Sequence, residues 1–329
     1  LVDLPVDYEF SMKVSQAKEL AEDYNLHLPL KVLLPDDTTK RRTEFILSRQ
    51  RPISLPPRSF IELTPAYGFK DQTFDRVLIA SPEYCFLQAA EEMDIRELAL
   101  LGTELCSIYE NDMLSFMNHR RRAPICSISS LTRYLETANG IRGIEKARTA
   151  LKYITERSNS YRESIIAVMF NLPVSKGGYN MPGFKMNVRP KHIPDNIKAQ
   201  ENDVVWDEEK VIVEYDSNQG HLDETRHDKD VERNNILVNC GYDCIMLTNS
   251  IIRNIPIRDQ AFLEIRMRLK RWNNKRDLDL HLKKRIELDR MFRDFRKKWN
   301  IDFDAEKSKK LKERIEAEGA EARMYRQYK

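Results

Sequence analysis

Three acids have the residue types and spacing best suited to chemistry: Asp203, Glu214 and Asp216. Glu214 and Asp216 are two apart in the run VIVEYD, and a strand sends residues i and i+2 to one face. Asp203 opens the run DVVW just upstream; in a hairpin it comes to lie near Glu214. Each acid sits at the edge of an apolar run. Desolvation and like-charge repulsion disfavour carboxylates buried side by side, and a divalent cation relieves both. An all-oxygen donor set suits Mg2+ or Mn2+. Such an ion polarises a phosphoryl oxygen and activates water. His221, just past the strand, is of the type that moves protons near neutral pH. A solvent-facing strand gives the same i, i+2 acids with no metal, so spacing alone leaves both readings open.

The elements that must position these acids are legible around them. Ser160 to Asn171 has the spacing of a helix, with Ile165, Ile166, Val168 and Met169 on its buried face. A loop rich in turn residues follows, Pro173 to Gly183. Val204–Trp206 and Val211–Tyr215 read as strands joined by the charged turn Asp207 to Lys210. A helix is expected over about Asp228 to Asn239, with Gly241 as its C-cap. Tyr242–Leu247 is a third strand. The order is helix, loop, strand, strand, helix, strand.

That order, with these acids, resembles the PD-(D/E)XK restriction-endonuclease-like fold. More narrowly, residues 203–247 resemble the very-short-patch-repair-like endonuclease domain. The resemblance rests on Asp203, on Glu214-Tyr215-Asp216-Ser217, on His221, on Asp230-Val231-Glu232-Arg233, and on Leu237 with Gly241-Tyr242. It covers about 90 residues, Ser158 to Thr248. It implies a helical glutamate upstream of the strands, and Glu163 occupies that place. The motif's lysine would fall two residues after Glu214, where Asp216 stands, as an acid does in this subgroup; Ser217 replaces a glycine. The wider chain, from Val77 through Ser81-Pro82-Glu83 and the helices beyond, resembles bacterial abortive-infection antitoxin-type regulators.

The resemblance implies a metal-dependent nuclease acting on nucleic acid, DNA in preference to RNA, in DNA repair or phage defence. Asp203, Glu214 and Asp216 would then hold Mg2+ or Mn2+, Glu163 would complete the site, and His221 would assist proton transfer. Lys176, Lys185 and Arg233 would contact phosphate. Cutting both strands would call for two sites, hence a homodimer or a second nuclease. The alternative is a non-catalytic nucleic-acid-binding regulator or antitoxin-type protein on the same fold, since fold does not settle activity.

The rest of the chain bounds these readings. Its 329 residues suggest about two domains or one with a long appendage. The expected division is a mixed α+β N-terminal domain over 1–157, an α/β restriction-endonuclease-like domain over 158–256, and a basic helical tail over 257–329. Charged residues at 33% and few Gly and Pro exclude collagen-like and generally disordered chains. The tail carries 23 Lys and Arg against 14 Asp and Glu, a net +9 that leaves −6 on residues 1–256. In the tail Leu288, Phe292, Phe295 and Trp299 share one helical face. No apolar run has the ~18–20 residues of a membrane helix, and no secretory signal pattern opens the chain. Five scattered cysteines fit reduced thiols, and hence a cytoplasmic setting, better than a disulfide framework.

Earlier in the chain, Lys13 to Tyr24 has helical spacing, and β-like runs cover Leu26–Leu34, Thr43–Leu47, Phe60–Leu63 and Arg76–Ala80. Ser81-Pro82-Glu83 is a helix start, expected to run to about Glu92. Asp94 with Glu97 is a capping box for a second helix, to about Tyr109. Further helices are expected near Ser130–Thr137 and Ile144–Glu156, separated by Gly140 and Gly143.

Overall fold

A computed structural model describes residues 30–34, 45–49, 59–63, 77–109, 121–194, 201–216, 235–271 and 281–298. Two small pairings come first. β1 (Leu30–Leu34) lies parallel to β2 (Phe45–Arg49), and β3 (Phe60–Leu63) antiparallel to β4 (Val77–Ala80). A helical run follows: α1 (Pro82–Ala89), α2 (Ile95–Leu105), α3 (Ile128–Thr137), α4 (Ile144–Leu151) and α5 (Tyr161–Asn171). The starts obey local chemistry. Ser81 accepts from the Tyr84 N–H with Pro82 in the first turn. Asp94 and Glu97 form the reciprocal capping box, each carboxylate accepting the other residue's N–H at 3.0 Å. Helix ends were less legible: α1 stops at Ala89, α2 at Leu105 and α4 at Leu151, short of the expected limits, because nothing in the apolar spacing announces where packing stops rewarding another turn.

The central sheet has four strands in the order β5 (Lys185–Val188), β6 (Asn202–Trp206), β7 (Val211–Asp216) and β8 (Asp243–Thr248). β5–β6 and β6–β7 are antiparallel and β7–β8 is parallel. The protein is thus a mixed α/β chain with an open mixed sheet. β5 was not foreseen; its apolar residues alternate at Phe184, Met186 and Val188, but over a span too short to stand out between Gly183 and Pro190. Of the helix expected over Asp228–Asn239, residues 235–239 are described and are helical, and Gly241 takes a left-handed φ of 82° just past them. The expected helix at Lys13–Tyr24 lies outside the described residues.

Alternation divides the sheet's two faces. Met186, Val204, Trp206, Val211 and Val213 enter a large apolar cluster with α5. Val205 and Ile212 enter a smaller one with Ile193, Leu237 and Tyr242. Helices therefore cover both faces. Phe170 of α5 is the hub of the large cluster, with ring centroids 5.4 Å from Trp206, 5.7 Å from Phe184 and 4.9 Å from Phe262.

After β8 come α6 (Asn249–Arg253), α7 (Ile255–Arg268) and α8 (Leu282–Lys298). Leu288, Phe292 and Phe295 are buried as expected, worth roughly 1.5–3 kcal/mol each; Trp299 lies outside the described residues. Side chains from all three expected segments, from Phe86 to Phe295, enter the one large cluster. Gly177, at φ +91°, lets the loop after α5 seat against α8: a Cβ there would stand 2.4 Å from the Lys284 carbonyl oxygen.

Candidate carboxylate site

The acids gather where β6 begins and β7 ends. The β6–β7 ladder runs from Trp206↔Val211 to Val204↔Val213. One step further, Asp203 and Glu214 stand opposite each other, on the same face. There the Asp203 carboxylate replaces a main-chain acceptor, its Oδ2 taking the Tyr215 N–H at 2.8 Å. Glu214 Oε1 accepts from the Asn202 side-chain amide. Asp216 is the last residue of β7, half-buried and in register with Thr248 of β8.

Glu163 approaches from α5. Ser160 caps that helix, accepting the Glu163 N–H at 3.1 Å, and returns its hydroxyl to Glu163 Oε1 at 2.9 Å. Oε2 accepts from the Asn159 N–H at 2.8 Å and from Asn187 Nδ2 at 2.7 Å. Burial first, and the charge of Asp203 second, push the Glu163 carboxyl up to about 7, although the three donors act the other way. A buried carboxylate poised near neutrality is the most distinctive electrostatic feature of this end of the sheet.

Asn187 holds this arrangement. It sits in β5 between Met186↔Val204 and Val188↔Asn202, hence opposite Asp203. Its backbone is left-handed, φ 48°, an uncommon state for a residue other than glycine. The side-chain amide bridges Glu163 and the Arg157 carbonyl, the latter at 2.8 Å, while the main-chain carbonyl of Asn187 accepts from the Arg157 guanidinium at 3.0 Å. Arg157 also reaches Glu201, to which Arg121 is paired. The sequence reading missed Asn187, Asn202, Arg157 and Arg121. Nothing in their spacing marks them; a polar Asn inside an otherwise alternating apolar run was the one available signal.

Two of the foreseen cations, Lys185 and Lys176, are among the described residues. Lys185 pairs in register with Val205, and its charge acts on Glu208 in the β6–β7 turn, toward the other end of the sheet. Lys176 lies in a short 3-10 turn beyond the C-terminus of α5, whereas Glu163 is in that helix's first turn. At ~1.5 Å per residue the helix itself separates them by more than 10 Å. Lys176 is carried away from the acids because the loop after α5 folds onto α8. His221 and Arg233 lie outside the described residues.

Among the described residues, no three His, Cys, Asp or Glu side chains stand in an arrangement that would hold an ion as they are. By donor type the carboxylates fit a hard divalent cation. Comparisons with protein-family models, curated proteins and solved structures found no match for this chain.

Proposed function

We propose that the protein is a metal-dependent nuclease that hydrolyses phosphodiester bonds of nucleic acid, DNA in preference to RNA. The observation that carries the reading is the placement of Glu163: a buried carboxyl held by Ser160 and Asn187 at the sheet end that bears Asp203, Glu214 and Asp216. The element order supports the restriction-endonuclease-like arrangement expected from the motif: α5, then β5, β6 and β7, then the helical residues 235–239, then β8 parallel to β7.

In this reading Asp203, Glu214 and Asp216 would hold Mg2+ or Mn2+, which when bound supplies Lewis-acid polarisation of a phosphate and a more acidic water. Glu163 accepts or returns a proton at its carboxylate oxygens, and Asn187 with Ser160 fixes where those oxygens point. Arg157 and Arg121 carry positive charge beside an acidic cluster that by itself repels phosphate.

The test is a nicking assay on supercoiled plasmid, single-stranded DNA and RNA, at low salt, with Mg2+, Mn2+ or EDTA. Wild type should cleave only with metal. Glu214→Ala and Asp203→Ala should lose at least about 100-fold in rate yet still bind DNA, as removing a carboxylate removes repulsion from phosphate. Equal behaviour of wild type and Glu214→Ala across all substrates would remove the nuclease reading. Tight binding that weakens steeply with salt would then favour a non-catalytic nucleic-acid-binding regulator.

A further inference from the structure

Cys106 and Cys126 form a thiol pair outside the carboxylate site. Cys106 directly follows α2, and Cys126 directly precedes Ser127, the N-cap of α3. Their Sγ atoms are 3.8 Å apart although the residues are 20 positions apart in the chain. Both are buried, Cys126 being the more exposed at 7% against 0%. The main chain imposes the contact: the N–H groups of Ile125 and Cys126 both donate to the Leu105 carbonyl, at 3.1 and 3.2 Å. Just beyond, Tyr109 and Arg121 form an isolated antiparallel bridge that continues this stem.

The stem is tied to the candidate site at two points. The Cys106 carbonyl accepts the Arg157 N–H at 2.9 Å, and the Arg157 guanidinium holds Asn187, which holds Glu163. Arg121, on the returning strand, pairs with the same Glu201 as Arg157.

We propose that Cys106 and Cys126 form a reversible disulfide on exposure to a hydroperoxide, cross-linking the base of the 107–125 excursion beside the carboxylate site. The Cys126 sulfur attacks the O–O bond of hydrogen peroxide; an S–O bond forms, hydroxide leaves, and Cys126 becomes a sulfenic acid. The Cys106 sulfur then attacks Cys126 Sγ; the S–S bond forms, the S–O bond breaks, and the oxygen departs as water. Two thiols and one peroxide give one disulfide and two waters, the sulfur pair losing two electrons and the peroxide gaining two. The hydrogen bond shared with Cys126, and then burial, hold the Cys106 thiol well above its ordinary range. The greater exposure of Cys126 assigns it the first attack and Cys106 the resolving role, and a thiol held protonated makes the reaction slow, since the thiolate is the nucleophile. The proposal is independent of the nuclease reading.

The experiment treats the full-length chain with graded hydrogen peroxide, blocks free thiols after denaturation, and maps peptides without reduction. The expected result is a linked pair carrying Cys106 and Cys126, two hydrogens lighter than the sum of its peptides and separated by dithiothreitol. Oxidation should raise the melting temperature by about 5 °C, because the cross-link closes a loop of some 20 residues. Cys126→Ser should abolish the linked pair and the shift, while Cys85→Ser, which removes an exposed thiol, should keep both. If Cys126→Ser fails to fold, the Cys85→Ser map decides alone. Linkage to Cys85, Cys240 or Cys244 in place of this pair would overturn the proposal. So would sulfinic acid at Cys126 with Cys106 still alkylatable, or recovery of both as free thiols after Cys85 has been oxidised.

Discussion

Between α7 and α8 two arginines are sealed from water, each against an aspartate: Arg258 on Asp289 at 3.0 Å and Arg285 on Asp259 at 2.8 Å. Tyr179 adds its hydroxyl to Asp259 and accepts from Arg258 Nε at 3.0 Å. At the end of the sheet Glu163 is buried as well, but its hydrogen-bond donors are neutral and the charge it feels most is that of Asp203. In the first region opposite charges are matched within the chain, and the result is architecture: α8 is fastened to α7. In the second region burial first, and the nearby charge of Asp203 second, leave a carboxyl able to exchange a proton near neutral pH. Buried charge matched inside the fold reads as structure, and buried charge left unmatched reads as chemistry.

The largest effect that would break this contrast lies in the matched region. Arg258→Ala should cost about 3–5 kcal/mol, because it leaves the Asp289 carboxylate without its cation, and thermal melts should fall by roughly 10 °C. An unchanged melting temperature would mean that the ion pairs do not hold α7 to α8.

A somewhat smaller effect sharpens the unmatched side. The Glu163 pKa is raised from 4.5 to about 7 on folding, so the folded chain binds more protons than the unfolded chain between those values. The stabilisation is complete below about pH 4.5 and is lost as pH rises through about 7, a change of roughly 3 kcal/mol. Denaturant unfolding at pH 5 and pH 8 should show this loss in wild type beyond that in Glu163→Gln. Mg2+ should reduce the difference if a cation sits beside the acids. Parallel pH profiles for the two proteins would place Glu163 with the ordinary capping-box glutamates.

The smallest effect tests what holds Glu163. Asn187→Gly and Asn187→Ala both remove the amide that donates to Glu163. Only the alanine keeps a Cβ at φ 48°, so it should be less stable than the glycine variant by about 1 kcal/mol. Urea midpoints would resolve that difference, and equality would show that the left-handed backbone carries no strain.

Much of this was legible along the chain, for reasons that differ by element. The Asp94–Glu97 box was readable because both partners lie within one helical turn, and the β6–β7 hairpin because alternation and a charged turn are adjacent in the chain. Asp203 opposite Glu214 followed from that hairpin alone. β5 escaped notice because only three alternating apolar residues carry it. Where Lys176 and Lys185 stand relative to the acids was not legible, because a lysine's position depends on where its loop or strand packs, which its neighbours in sequence do not state.

By itself, then, the sequence determined the local elements: caps, strand periodicity, the apolar face of Leu288, Phe292 and Phe295, and the acids at the strand ends. These depend on interactions within a few residues, where one repeat distance governs the pattern. Only the tertiary structure decided that Glu163 meets Asn187 and Asp203, that Cys106 touches Cys126, and that Arg258 and Arg285 are buried against aspartates. Each of these depends on burial and on charges brought close from distant parts of the chain, and neither quantity exists until the core around Phe170 has closed.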